Sequence, residues 1–273
     1  MKEQIKGSLI LLLTATIWGI AFVAQSAGMD YIGAFTFNSI RSIMGGIVLI
    51  PVVLMLNKRE KKNASEDKGE LKTLFIGGTA CGVLLCIATN LQQLALKTAQ
   101  VGKAGFLTAL YIVLVPVVGL FMNRKVGKNV AVAVMLAVAG LYLLCLNGGE
   151  FIPGKEDILL LLCALVFTFH ILVIDYFAPK VNCVAMSCIQ FFVCGILSAV
   201  PMIMFEEIRL QSVLDAAIPL LYAGVMSCGV AYTLQMIGQK NMNPTVASMI
   251  LSLESVVSVL AGLIILKEVL SGR

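Results

Sequence analysis

Charge is what this 273-residue chain has least of: 13% of its residues are Asp, Glu, Lys or Arg, against 59% hydrophobic ones. Soluble domains carry about 25% charged residues, so a water-facing fold is excluded. A mean hydropathy of +0.98 excludes disorder and a secreted disulfide scaffold as well. The chain has a single histidine and a single tryptophan. It has no H-E-x-x-H, no Walker lysine motif, no glycine-rich phosphate loop and no C-x-x-C pair, and so lacks the usual signatures of metal, nucleotide and redox chemistry. The net charge of +5 comes without interleaved basic and aromatic residues, which argues against a nucleic-acid partner. Neither a cofactor nor a metal is expected.

What is abundant is uninterrupted apolar sequence. A hydrocarbon core about 30 Å thick takes about 20 residues of helix, and nine runs of that order are present. They extend from Gly7 to Ala24, Ile32 to Leu56, Leu71 to Leu96, Val101 to Met122, Gly127 to Leu146, Asp157 to Phe177, Cys183 to Phe205, Leu214 to Gly238 and Pro244 to Leu266. Lys2 and Lys6 ahead of the first run also fit a cleaved leader, but that run has full membrane length and is a member of the repeat described next. The polar stretch from Asn57 to Lys72 reads as a solvated loop. With the N-terminus inside, thirteen lysines and arginines fall on inner segments and six on outer ones, the bias expected of a cytoplasmic N-terminus. All eight cysteines lie in or beside the runs and read as small packing residues.

The chain also resembles itself. A shift of 143 residues lays the segment from Thr98 over that from Asn241, matching Ala104 with Ala247, Leu110 with Leu253, Gly119 with Gly262 and Gln92 with Gln235. A shift of 149 lays runs one and two over six and seven, matching Ala15 with Ala164, Ile40 with Ile189 and Gly46 with Gly195. Five crossings per copy is an odd number, so the second copy enters the membrane from the opposite face. The expected fold is all-α and polytopic, with two inverted five-helix repeats over 1–146 and 147–273. Nine spans are seen and ten expected, the second copy lacking its last helix. Inverted repeats around a midplane site are the architecture of many carriers.

WGIAFVAQ, FTFNSIRSIMGGIVLIP, AGFLTALYIVLVPVVGL and TVASMILSLESVVSVLAGLIILKE are similar to segments of the EamA group of the drug/metabolite transporter superfamily. The resemblance covers essentially the whole chain. It implies two inverted repeats around a central cavity and export of amino acids, metabolites or drugs across a bacterial plasma membrane. Where that group places Glu-Pro within the fourth helix of each repeat, this sequence has Glu254-Ser255 in the second copy and Tyr111-Ile112 in the first.

A polar side chain within the hydrocarbon is costly and therefore a candidate for function. Glu254 lies mid-span with Ser258 four residues on, beside a stripe of Ser248, Ser252 and Ser255. It can accept a proton, hold a cationic group or serve as a structural acid. Arg41 is read first as one half of a structural ion pair, and otherwise as a holder of a solute carboxylate. His170 is either a proton relay or hydrogen-bonded packing. Asp175 lies near the inner end of its span. Neutral polars form stripes on runs one, three, four and eight, including Thr14, Trp18 and Gln25, then Tyr232, Gln235 and Gln239. Interhelical hydrogen bonding alone could account for part of them. The residues expected to bind solute are Thr14, Trp18, Asn90, Gln93, Thr108, Tyr111, His170, Tyr232, Gln235, Ser252, Glu254 and Ser255. Runs one, three, four, six, eight and nine thus ring the expected pocket. Run five, with Ala133 and Ala137 at small-xxx-small spacing, and run seven are expected to pack outside it.

The reading is a carrier of small organic solutes in a lipid bilayer, with protons as a possible coupling ion. A passive channel or structural membrane protein is the alternative, and a membrane enzyme a more distant one. The sequence says nothing of oligomeric state. Topology reporters should place the Asn57–Lys72 loop in the cytoplasm and the connection after Ala24 on the opposite face; both on one side contradicts the orientation.

Overall fold

The computed structural model describes residues 2–60, 68–121, 132, 135–136, 146–147, 150–151, 154–240 and 242–268. Three long helices open the chain: α1 (Lys2–Gly28), α2 (Ala34–Glu60) and α3 (Lys68–Ala95). The fourth span is broken into α4 (Val101–Thr108) and α5 (Tyr111–Phe121). After a two-residue antiparallel pairing of Leu146–Asn147 with Glu150–Phe151 come α6 (Lys155–Phe177) and α7 (Cys183–Phe205). A short α8 (Leu210–Asp215) precedes a span built from α9 (Ala217–Leu221), a π-helical stretch over Tyr222–Tyr232 and α10 (Thr233–Gln239). The last span is again broken, into α11 (Pro244–Leu251) and α12 (Glu254–Ala261), and ends in π-helical turns over Gly262–Leu266. Eight stretches among the described residues are long and apolar enough to cross a bilayer. The expected run from Gly127 to Leu146, with Ala133 and Ala137, lies outside the described residues except at Val132, Met135, Leu136 and Leu146.

Local chemistry fixes several boundaries. The Asn182 side chain accepts from the amides of Val184 and Ala185 at 3.0 and 3.1 Å and starts α7. Asn243 accepts from Thr245 N at 2.9 Å, with Pro244 as the first residue of α11, where its missing N–H costs no helical bond. Asp157 takes the Gly154 amide at 2.9 Å at the head of α6.

The two copies cross each other antiparallel. In the fourth and last spans, α4 packs on α12 while α5 packs on α11, so the first half of one touches the second half of the other. Along α2 and α7, Thr36 meets Glu206, Ser39 donates to Gly195 O at 3.0 Å and Ser42 to Cys194 Sγ at 3.4 Å, a descending register that again means opposite directions. A Cβ on Gly46 would meet Phe192 Cε2 at 3.0 Å, and one on Gly195 would meet Ile43 Cγ1 at 2.7 Å. Residues 43 and 192, like 46 and 195, are equivalent under the 149-residue shift, so these are one contact seen from both halves. The neighbours obey the same exchange: α3 packs on α6 as α1 packs on α10, and α3 on α7 as the π-helical stretch on α2.

Polarity is distributed inside out. Leu9, Leu54, Phe75, Ile203 and Ile218 are exposed, while Arg41, Gln93, His170, Gln190 and Glu254 are buried. Exposed apolar side chains face lipid at no cost, so close backbone approach rather than hydrophobic burial must hold the helices together. Gly82 shows how close: a Cβ there would stand 2.8 Å from the Gln190 carbonyl and 2.6 Å from Val193 Cβ. Gly82→Ala therefore forces α3 away from α7 and should cost about 1–3 kcal/mol, read as a lower unfolding midpoint in detergent; an unchanged midpoint contradicts the contact.

Candidate functional site

Both broken spans break at the same place. Leu110 N bonds Leu107 O at 3.3 Å and Ile112 N bonds Ala109 O at 3.0 Å; Leu253 N bonds Ile250 O at 3.2 Å and Ser255 N bonds Ser252 O at 3.1 Å. Each pair is related by the 143-residue shift, and each replaces helical bonds by tighter three-residue ones. Ala109 and Ser252 share nearly the same backbone, at φ/ψ of −65°/−6° and −62°/−13°. The chemistry that loosens the two helices differs. Pro116 has no N–H for the carbonyl of Ile112, four residues back. In the last span Ser248, Ser252, Ser255 and Ser258 each turn a hydroxyl onto the carbonyl three residues back, at 2.8–2.9 Å, a habit that bends helices.

The first residues after the breaks are Tyr111 and Glu254, themselves equivalent under the shift. The Tyr111 hydroxyl donates to Glu254 Oε1 at 2.8 Å, so this hydrogen bond lies on the pseudo-two-fold axis. Beside it is a cavity of about 30 Å³, room for a water or two. Its polar wall includes Trp18, Gln25, Arg41, Gln92, Thr108 and Gln235. Ser227 and Tyr232 join from the π-helical stretch, a geometry that frequents functional sites. Phe22, Phe167, Ile171 and Leu251 are apolar. Trp18 and Tyr232 stack at 4.5 Å between ring centres. All six spans expected to ring a pocket contribute, and α2 adds Arg41.

Of the twelve residues expected from sequence to bind solute, Trp18, Thr108, Tyr111, Tyr232, Gln235 and Glu254 meet at this cavity. The others lie behind it. Thr14 bonds Ile10 O at 3.0 Å and reaches Ala231 O at 3.5 Å. Gln93 donates to Gln25 O at 2.9 Å, bracing α1 against α3. His170 pairs through Nε2 with Gln190 Oε1 at 3.1 Å and meets the Tyr232 and Phe167 rings edge-on. Ser252 and Ser255 spend their hydroxyls on the helix bend. Asn90 belongs to a relay: it donates to Ser198 Oγ at 2.9 Å and accepts from Asn38 Nδ2 at 2.9 Å, while Asn38 Oδ1 takes Arg41 Nε at 2.7 Å.

Arg41 departs from its first reading. It is 2% exposed, lies 5.6 Å from the Phe37 ring centre and pairs with no carboxylate among the described residues. Gln92, which donates to Thr108 Oγ1 at 3.2 Å, was absent from the expected set although its repeat mate Gln235 was in it. That equivalence is the signal that could have found it. Gln25 was on the Trp18 stripe, whereas Phe22, Phe167, Ile171 and Leu251 carry no signal beyond being apolar. The seven described cysteines are free thiols, and Cys145 lies outside the described residues.

Removing the Tyr111 hydroxyl strands a buried carboxyl group. Tyr111→Phe should destabilise the fold by about 1–3 kcal/mol in detergent unfolding; a midpoint equal to that of the unaltered protein contradicts the bond.

A solved crystal structure superposes on this one with a TM-score of 0.73 at 19% identity, covering 98% of this chain and 90% of that one, a likeness of fold. An uncharacterized transporter of Archaeoglobus fulgidus is 27% identical over 270 residues, or 98% of this chain and 81% of the relative. The EamA-like transporter family matches residues 5–146 and again 154–273. Two copies of that pattern fill this polytopic helical membrane protein, and the chain belongs to the EamA-like transporter family.

Proposed function

We propose that the protein is a secondary carrier of small organic solutes, working as an exporter in a bacterial plasma membrane with its N-terminus in the cytoplasm. The repeats, residues 1–146 and 147–273, rock against each other and open the cavity first to one face and then to the other. One observation carries this reading: two helices broken at equivalent residues, joined by Tyr111 and Glu254 beside a polar cavity. Broken helices persist in a bilayer where they line a site, because the freed backbone groups must be satisfied there. A cavity of about 30 Å³ is too small for an organic solute, which suits an occluded state between openings better than a continuous pore.

Glu254 is the group proposed to couple movement to protons. It is 4% exposed, held by a single hydroxyl, and stands where the two moving halves meet. Glu254→Gln keeps the shape and the acceptor for Tyr111 but cannot exchange a proton. In proteoliposomes the variant should lose most transport or its dependence on pH between about 5 and 8. Unaltered rates across that range reduce Glu254 to scaffolding.

A further inference from the structure

We infer that an anionic phospholipid is seated where α1 begins and α10 ends, its phosphate between Lys6 and Lys240 and one acyl chain along Ile5, Leu9 and Leu13. The inference stands apart from the carrier reading, and either holds without the other. Lys6 is the last residue before the first apolar run, which begins at Gly7, and Lys240 follows closely on the eighth, which ends at Gly238. Both lysines therefore stand at the level of lipid headgroups. Just inside them the two helices touch: a Cβ on Gly7 would lie 2.8 Å from the Gly238 carbonyl oxygen and 3.0 Å from Met242 Cε. Those three residues line the cleft of about 310 Å³ that Glu3, Lys6 and Lys240 border.

A second hollow, an apolar groove of about 440 Å³, follows α1 over Ile5, Leu9 and Leu13, which are 54%, 62% and 51% exposed. Their spacing of four residues makes one stripe, about 12 Å long at the rise of a helix. Lys6 and Ile10 line groove and cleft alike, so the charged site and the apolar one adjoin. Neither lysine meets a carboxylate among the described residues. Two ammonium groups against the carboxylate of Glu3 leave the cleft one positive charge, which a single phosphodiester balances. A soluble anion would use the cleft and leave the groove empty; a neutral lipid would use the groove and leave the lysines unanswered. An anionic phospholipid fills both. Lys180, at the same end of the bundle, is engaged otherwise, its Nζ 3.0 Å from the centre of the Tyr176 ring. Because α1 and α10 belong to different repeats, a headgroup held by both lysines links the two halves.

The test uses the full-length protein in detergent, with thermal stabilisation as the readout and short-chain phosphatidylglycerol as the probe. Phosphatidylglycerol should raise the melting midpoint saturably, and phosphatidylethanolamine, phosphatidylcholine and glycerol 3-phosphate should each bind at least tenfold more weakly. Lys6→Gln and Lys240→Gln should each weaken phosphatidylglycerol by about fivefold, and the double variant by about thirtyfold. Glu3→Gln should strengthen it. Leu9→Ser should weaken it by about tenfold through the groove, whereas Lys180→Gln should leave it unchanged. Ligand-free melting of each variant separates misfolding from lost binding, and the comparison of ligands on the unaltered protein decides where a variant fails to fold. Glycerol 3-phosphate bound as tightly as the lipid reduces the cleft to an anion site and overturns the inference. Equal binding of phosphatidylethanolamine overturns it too, as does a loss in Lys180→Gln equal to that in Lys6→Gln, which would mean diffuse surface charge.

Discussion

A polar group inside hydrocarbon must find a partner, and that constraint organises this bundle. Two of its spans are interrupted halfway, where freed backbone groups would be least tolerable against lipid. Both interruptions are turned inward, at the crossing of the two repeats, and both are closed by three-residue hydrogen bonds at equivalent residues. The Tyr111–Glu254 bond then ties one break to the other. Symmetry makes this economical: two crossing helices that each bend at the same position create a pocket at their seam without either copy carrying a complete one.

The two ends of the bundle are held differently. At one end Glu206 accepts from the amides of Phe35 and Thr36 at 3.0 and 2.7 Å, and Glu268 from Val101 N at 2.8 Å, each carboxylate seated on the head of a helix from the other repeat. Lys103 and Asp157 add an ion pair of 2.7 Å there, with Asp157 2% exposed. At the other end, α1 and α10 border a cleft of about 310 Å³ edged by Glu3, Lys6 and Lys240. Under the carrier reading the first end is the closed gate and the second the looser one.

Much of the architecture is legible in the sequence because bilayer thickness converts apolar length directly into helices, and because the 143- and 149-residue shifts carry symmetry without needing coordinates. The same shift aligned Tyr111 with Glu254, although only the fold shows them touching. The pocket wall was legible where a polar residue stood mid-span, as with Gln235, and illegible where it was apolar, as with Ile171. Helical stripes also could not separate a residue facing the cavity from one bracing the next helix. Asn90, Gln93 and His170 have suitable chemistry and sit one layer back, their groups already taken by Ser198, Gln25 and Gln190. Arg41 misled for a sound reason: a buried guanidinium ordinarily has an acid, and here the amide of Asn38 stands in that place.

The central claim, two inverted halves rocking about a shared pocket, is tested most directly by distances at both ends of one molecule. Spin labels at Lys6 and Lys240 report the cleft, and labels at Tyr31 and Arg209 report the clamped end, in a background with the native cysteines replaced. Between solute-free and solute-loaded membranes, or across a change of pH, one distance distribution should lengthen as the other shortens. Distances that change together, or at neither end while transport proceeds, contradict the account.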